Sequence, residues 1–468
     1  MALGTNVTLG VATLEEFRTS LRGDLITRTH ESYEQVRRVW NGMIDKHPML
    51  IARCRGEADV ITCIQFARSH NLPLAVRGGG HNVAGFATCD DGLVIDLSPM
   101  KGISVDAAQR TGRAQPGLTW GEFDSETQAF GLATTGGVIS TTGIAGFTLG
   151  GGIGWLMRHY GLACDNLRSV RIVTADGRLL NANAEENADL LWGVRGGGGN
   201  FGVVTEFTYT LHPVTQVIGG IVLHPAARAK ELLEFYRDYS ATAPDELSTM
   251  FAFLTAPPTP FVPEALQGKP AVAIVACYAG SLQQGAEVVR PLKQFGLPSV
   301  DLLGAMPYLA LQSMLDAGAP PGIHNYWKSN YLQALTNDAI DIFLRQAERI
   351  TSPLSAIHIQ QLGGAIRRIP ADTTAYANRE AEFVVNIIGT WTDAIESDSH
   401  VAWTRETWDA LQPYWTHGAY INFMGYENDD RVKQAYGENY ARLRALKRKY
   451  DPTNLFCLNQ NIRPETGQ

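Results

Sequence analysis

Short apolar runs separated by stretches almost bare of side chains mark the first two hundred residues of the chain. Residues 14–23 read as a short amphipathic helix, residues 33–47 as a mixed segment, and Pro48-Met-Leu-Ile-Ala52 as the apolar start of a domain. Val60, Ile61, Ile64 and Ala67 recur at helical spacing, which predicts a helix over 57–70 and a strand over 74–77 after it. A further strand is expected over 92–97. Thr119-Trp-Gly-Glu122 has the reciprocal capping pattern that opens a helix, here one running to Phe130. Residues 168–180 read as a hairpin around Asp176-Gly177. Residues 203–210, rich in β-branched and aromatic side chains, read as a strand. From about Val217 the character changes: strand-like runs over 217–223, 271–278, 357–362 and 383–390 alternate with helix-like runs over 226–239, 282–295 and 340–350, the mark of an α+β region. Proline-rich loops interrupt it at Thr255-Ala-Pro-Pro-Thr-Pro260 and Gly318-Ala-Pro-Pro-Gly322. A helix over 438–450 and an asparagine-rich tail close the chain.

Four glycine-rich segments interrupt the first part. Arg77-Gly-Gly-Gly-His81 follows a strand and ends on an imidazole; Ser140-Thr-Thr-Gly143-Ile-Ala-Gly146 leads to Gly150-Gly-Gly-Ile-Gly154; Tyr160-Gly-Leu-Ala-Cys-Asp-Asn166 and Gly196-Gly-Gly-Gly-Asn-Phe-Gly202 follow. Where side chains are missing, backbone N–H groups approach a ligand closely and the chain reaches positive φ, which suits a diphosphate. Four such segments suggest one extended cofactor. Gly197-x-Gly199-x-x-Gly202 matches the dinucleotide-binding fingerprint in letters only, because a helix must follow those glycines and here a strand does.

Composition narrows the class. A chain of 468 residues with 45% hydrophobic content can bury a large core and favours more than one domain. Its 39 Lys+Arg against 47 Asp+Glu, a net charge of −8, leave nothing to neutralise a polyphosphate, so nucleic acid is not an expected partner. No two of the six cysteines are spaced as metal ligands, and no metal site is expected. The N-terminus lacks the pattern of a secretory signal and no run approaches membrane-span length, so free thiols, a cytoplasmic location and no membrane partner are expected.

With these motifs in order, the chain resembles the berberine bridge enzyme-like oxidases of the vanillyl-alcohol oxidase superfamily. Arg77-Gly-Gly-Gly-His81, Thr141-x-Gly-x-x-Gly146 with Gly150-Gly-Gly-x-Gly154, Tyr160-Gly-Leu-Ala-x-Asp-Asn166 and the tail Tyr450-Asp-Pro-Thr-Asn-Leu-Phe-x-x-Asn-Gln-Asn-Ile462 carry the likeness over nearly the whole length. The resemblance implies an α+β fold: an FAD-binding domain over 46–216, an antiparallel-sheet substrate domain covered by helices over 217–419, and a segment over 420–468 that returns to the first domain. It implies FAD held by Arg77, Gly78, Gly79, Gly80, His81, Asn82, Gly85, Ser140, Thr141, Thr142, Gly143, Gly146, Gly150, Gly151, Gly152, Ile153, Gly154, Gly202, Val203, Asn459 and Asn461. In the family, the histidine at the position of His81 is joined to the flavin 8α-methyl group, a tether that withdraws electron density and makes a stronger oxidant.

Many relatives add a cysteine tether; that slot holds Ile139 here, and Cys164 lies elsewhere, so a single link is expected. The residue three further on, which gates oxygen in the family, is Thr142, close to valine in size, and O₂ is the expected acceptor, with release of hydrogen peroxide. Gly418-Ala-Tyr-Ile-Asn-Phe-Met424 matches the family's Tyr-x-Asn element and gives Tyr420 as general base, with Asn422 beside it on the same face of a strand. Such a base needs a lowered pKa.

The small-molecule substrate is expected to be a sugar or hydroxylated secondary metabolite oxidised at a CH–OH carbon. A C–N bond oxidase and a flavin-carrying binding protein without turnover are the alternatives. Two departures bear on the substrate: Arg367 and Arg368 stand where relatives often carry an acid or amide, and suit either an anionic or sugar-acid substrate or a solvent-exposed role, and Ile153 replaces an aromatic.

Overall fold

The computed structural model describes residues 9–465. Strands β1 (Asp24–Thr27), β2 (Leu50–Arg53), β3 (Leu74–Arg77) and β4 (Leu93–Asp96) form a sheet in the order β1-β2-β4-β3, with β4 parallel to β2 and β3. Parallel strands cannot be joined by a tight turn. The helix Glu57–Ser69 makes the crossover from β2 to β3, burying Val60, Cys63, Ile64 and Ala67.

A second, antiparallel sheet contains β5 (Ile103–Asp106), β6 (Thr111–Ala114), β8 (Leu167–Val173), β9 (Leu179–Ala182) and β10 (Val203–Thr210) in the order β5-β6-β10-β8-β9, while β7 (Leu132–Ala133) pairs with β11 (His212–Pro213). The hairpin expected at Asp176-Gly177 is β8–β9, and β10 follows the last glycine segment directly, as the rejection of a Rossmann turn required. The capping box at Thr119 and Glu122 is formed in full at the start of the helix Trp120–Gln128.

The third sheet comprises β12 (Gln216–Pro225), β13 (Leu247–Thr255), β14 (Pro270–Tyr278), β15 (Val300–Asp301), β16 (Gly304–Pro307), β17 (His324–Leu332), β18 (Ala356–Gln361) and β19 (Phe383–Trp391). Its order is β15-β12-β14-β13-β18-β19-β17, antiparallel throughout, with β16 also on β12. One face buries Phe251, Phe253, Ile274, Ile357, Ile359 and Ile387 beneath the helices Ala229–Ala241, Leu282–Gln294, Asn337–Ala347 and Ser397–Ala410. The opposite face carries Met250, His358 and Asn386 and lines a cavity. That second face explains why β17 gave no strand signal: Asn325, Trp327 and Ser329 replace the expected apolar alternation.

The tail returns to the first part of the chain. Leu443, Leu446, Tyr450 and Ile462 share one core with Leu190 and Phe201. Within it, Lys447 and Asp451 form a wholly buried ion pair at 2.7 Å. Lys447 also donates to the carbonyls of Asn200 (2.8 Å) and Phe456 (2.9 Å), and Asp451 accepts from the N–H groups of Leu455 and Phe456. Replacing Lys447 by Met strands the carboxylate; a loss of about 3–5 kcal/mol is expected on urea unfolding, whereas the substitutions Lys447→Met and Asp451→Leu together should recover part of it.

A second buried acid lies between helices. Asp124 accepts from Gln312 Nε2 at 2.8 Å and is otherwise enclosed, and burial raises its pKa to about 7. The folded protein therefore binds a proton that the unfolded chain has released, so stability falls as pH rises from roughly 4 to 7. Asp124→Asn should flatten that slope in thermal melts across this range.

Candidate active site

Arg77, at the end of β3, is fixed before the glycine loop begins. Its Nη2 meets Asp96 Oδ2 of β4 at 2.8 Å, and its Nη1 donates to the Val36 carbonyl at 2.5 Å. The loop then runs against the backbone of the second glycine segment. A Cβ on Gly79 would sit 2.5 Å from Gly143 N, and one on Gly143 would sit 2.4 Å from Gly79 N, so the two loops touch main chain to main chain. Gly80, at φ +69°, turns the chain out of that contact and delivers His81.

His81 Nε2 lies 3.1 Å from Thr141 Oγ1, and Nδ1 lies 3.4 Å from Thr142 Oγ1. Its ring stacks on Trp40 at 4.9 Å between centroids. Burial pulls the imidazole down to about 4, so it is neutral at pH 7 and keeps a ring lone pair.

Both loops open on a cavity of about 1200 Å³. This exceeds the ~300–1000 Å³ of a site for one drug-sized ligand. Among the expected residues, Gly78, Gly79, Gly80, His81, Asn82, Thr142, Gly143, Gly146, Ile153, Gly202, Val203, Tyr420, Asn422 and Asn459 line it. The others do not line it, and of these Thr141 is exposed beside His81. Ser140 gives both its N–H and its hydroxyl to Asp316 (2.7 and 2.5 Å), and Gly85 packs against Ile44. Gly150 leaves room for the Asn422 amide, Gly151 packs on Tyr376, and Gly154 lies on the Gly136 carbonyl. Asn461 Oδ1 is buried without a partner outside the cavity wall. Gly199, in the expected glycine segment 196–202, lines it too, and Trp40, Phe147, His358, Gln360 and Asn386 line it without having been expected; the last three lie on strands whose inward face is largely polar and carries no motif.

Tyr420 and Asn422 meet by a route other than the one expected. They do not share a strand: Ile421–Phe423 is a single 3₁₀ turn. Its tightness folds Asn422 Nδ2 back onto the Tyr420 hydroxyl at 2.9 Å, while the same amide nitrogen donates to the Phe147 carbonyl at 3.0 Å. The N–H groups of Gly152 and Ile153 also point at that oxygen, at 3.0 and 3.1 Å. Three donors on one phenol oxygen suit a phenolate better than a phenol. Enclosure opposes them and prevails: burial lifts Tyr420 to about 12, against the lowered value expected for a base.

Arg367 and Arg368 form the short helix Ala365–Arg368, Arg367 pairing with Glu382 and Arg368 with Asp245, and neither lines the cavity. A positively charged substrate contact from them is therefore not part of this site. Cys164 is fully buried with its thiol pushed well up by burial, and no cysteine among the described residues lines the cavity; Ile139 does.

The residues fit a flavin dinucleotide. A Cβ on Gly146 or Gly199 would meet nothing within 4 Å, so these backbones face open space, and Asn459 Oδ1 in the wall is buried without a partner. Comparison with known proteins agrees. A family described as FAD binding domain matches residues 48–183, and one described as berberine and berberine like matches 419–463. The chain is 34% identical to an FAD-linked oxidoreductase of Dictyostelium discoideum, over 96% of this chain and 97% of the other. It is 29% identical to (R)-6-hydroxynicotine oxidase of Paenarthrobacter nicotinovorans, over 95% and 98%. The crystal structure of 6-hydroxy-D-nicotine oxidase from Arthrobacter nicotinovorans superposes with a TM-score of 0.86 at 28% identity, covering 95% of this chain and 99% of that one. Fold, cavity and kinship converge: the chain belongs to the berberine bridge enzyme-like FAD-linked oxidoreductases of the vanillyl-alcohol oxidase superfamily.

Proposed function

We propose that the protein is an oxidase that holds FAD by one covalent bond through His81 and oxidises a CH–OH carbon, O₂ taking the electrons and leaving as hydrogen peroxide. The observation that carries the reading is the Tyr420 oxygen, held at the cavity wall by three N–H donors. An alcohol gives up hydride only as its hydroxyl proton leaves, and a phenolate at that place takes the proton. Asn422 holds the oxygen in position, its amide orientation fixed by the Phe147 carbonyl. The neutral His81 ring supplies the lone pair that a carbon–nitrogen tether requires, and Trp40 holds the ring against rotation. When bound, FAD supplies a two-electron acceptor that molecular oxygen can reoxidise. Arg77, locked to Asp96, acts from beneath the loop rather than on the cofactor.

Likeness to (R)-6-hydroxynicotine oxidase supports a second reading, oxidation of a C–N bond. A neutral amine needs no base, so the two readings differ in what Tyr420 does.

Acid precipitation of purified protein should give a yellow pellet with wild type and Cys164→Ala, and a colourless one with His81→Ala. A pellet that stays yellow without His81 rejects the tether. With an alcohol substrate, anaerobic bleaching should accelerate about tenfold per pH unit below the phenol's pKa near 12. Tyr420→Phe should slow it by roughly 10²–10⁴ and erase that pH dependence. Amine oxidation by Tyr420→Phe at the wild-type rate would favour the C–N reading.

A further inference from the structure

The inward face of the third sheet is divided in two. Over β17, β19 and β18 it is mostly polar, with Asn325, Thr390, Asn386, His358 and Gln360 lining the cavity beside Trp327, Ile388 and Ala356. Gln360 Oε1 and Asn386 Oδ1 there are buried without a partner. Over β13, β14 and β12 the same face presents Met250, Ala252, Val275, Ile221 and Leu223, none of which can hydrogen-bond; the hydroxyls on this side are those of Thr255, at the end of β13, and Thr259, in the loop after it, whose Oγ1 is buried without a partner. Beyond this apolar arm Val300, and Leu302 and Phe261, which are 41% and 50% exposed, also line the cavity. Large apolar side chains held open to water in a cavity wall mark a binding surface more often than chance exposure. Among the described residues, no Asp, Glu, Lys or Arg lines any part of the cavity.

The reacting end is placed by Tyr420, whose ring packs at 4.8 Å on Phe423, itself 5.9 Å from Trp327 of β17, so the chemistry belongs to the polar half. From β18 to β12 is three strand spacings, about 14 Å. We propose that the arm is the subsite for an uncharged apolar tail: the substrate is an alcohol whose polar, reacting head lies over β18 and β19 and whose hydrocarbon or aromatic body extends about 14 Å over β13, β14 and β12. This rests on the oxidase reading above and sharpens its substrate to a hydroxylated, lipophilic metabolite. A sugar chain laid along the arm would bury most of its hydroxyls against Met250, Ala252, Val275, Ile221 and Leu223, which cannot pair them, with Thr255 and Thr259 left to serve the rest, and a charged tail would be buried with no counter-ion.

The test uses the holoenzyme under anaerobic conditions with 4-methylbenzyl alcohol, 4-octylbenzyl alcohol and 4-(7-carboxyheptyl)benzyl alcohol, and with octylbenzene as an inert probe read by perturbation of the flavin absorbance. Each methylene buried should tighten binding roughly fourfold, so the octyl compound should bind at least ~100-fold more tightly than the methyl one, and the carboxylate should lose most of that gain. Leu302→Asp, at a half-exposed position that tolerates a charge, and Leu254→Asp, on the cavity-lining face of β13, should bring the octyl-to-methyl ratio toward one. If the alcohols bind with the same affinity whatever their tail, the arm is misassigned. If no alcohol bleaches the flavin, octylbenzene decides: binding that Leu302→Asp abolishes upholds the arm while the oxidation reading fails, and no binding overturns the arm.

Discussion

The close approach of Gly79 to Gly143 governs the geometry of the site. Neither residue can carry a side chain without pushing the other loop away by an ångström or more, and each loop starts from a fixed point: the first from the Arg77–Asp96 pair, the second from the bond between Ser140 and Asp316. Because the two main chains touch, His81 can reach only the neighbourhood of Thr141 and Thr142. Moving one loop by the width of a methyl group would carry the imidazole away from the cavity floor and leave the Trp40 stack without its partner.

The same economy appears on the opposite wall. The third sheet gives one face to helices and a dense hydrocarbon core, and its other face is packed in part, Met250 and Val275 against Trp155 and Leu156 and Leu223 against Val262 and Leu266. Where it meets the cavity, that face carries unpaired amides at one end and aliphatic side chains at the other. An antiparallel sheet tolerates this, since its backbone hydrogen bonds are satisfied within the ladder whatever the inward side chains are. The C-terminal tail closes the arrangement: the buried Lys447–Asp451 pair ties Asn200 and Phe456 together and sets Asn459 in the cavity wall.

How much of this could be read in advance varies residue by residue. The strand Leu74–Arg77, the capped helix at Thr119 and the strand after Gly202 are local, since periodicity, a capping pair and β-branched residues each fix the backbone over a few positions. His81 was legible because three glycines announce it. His358, Gln360 and Asn386 were not: their strands look like interrupted alternation, and only cross-strand register, His358 opposite Asn386, shows that the interruptions share one face. Ser140 looked like part of a ligand loop, yet its partner Asp316 lies far along the chain.

By itself the sequence determined the α+β class, the glycine loops with their histidine, the absence of a cysteine at position 139 and the Tyr-x-Asn element, because each depends on residues a few positions apart. Tertiary structure alone decided that Tyr420 and Asn422 meet through a 3₁₀ turn, that burial outweighs three N–H donors at the phenol, that Arg367 and Arg368 turn to Glu382 and Asp245, and that the cavity has a polar and an apolar half. Burial, register and pairing across hundreds of residues are properties of the packed chain, and no local pattern encodes them.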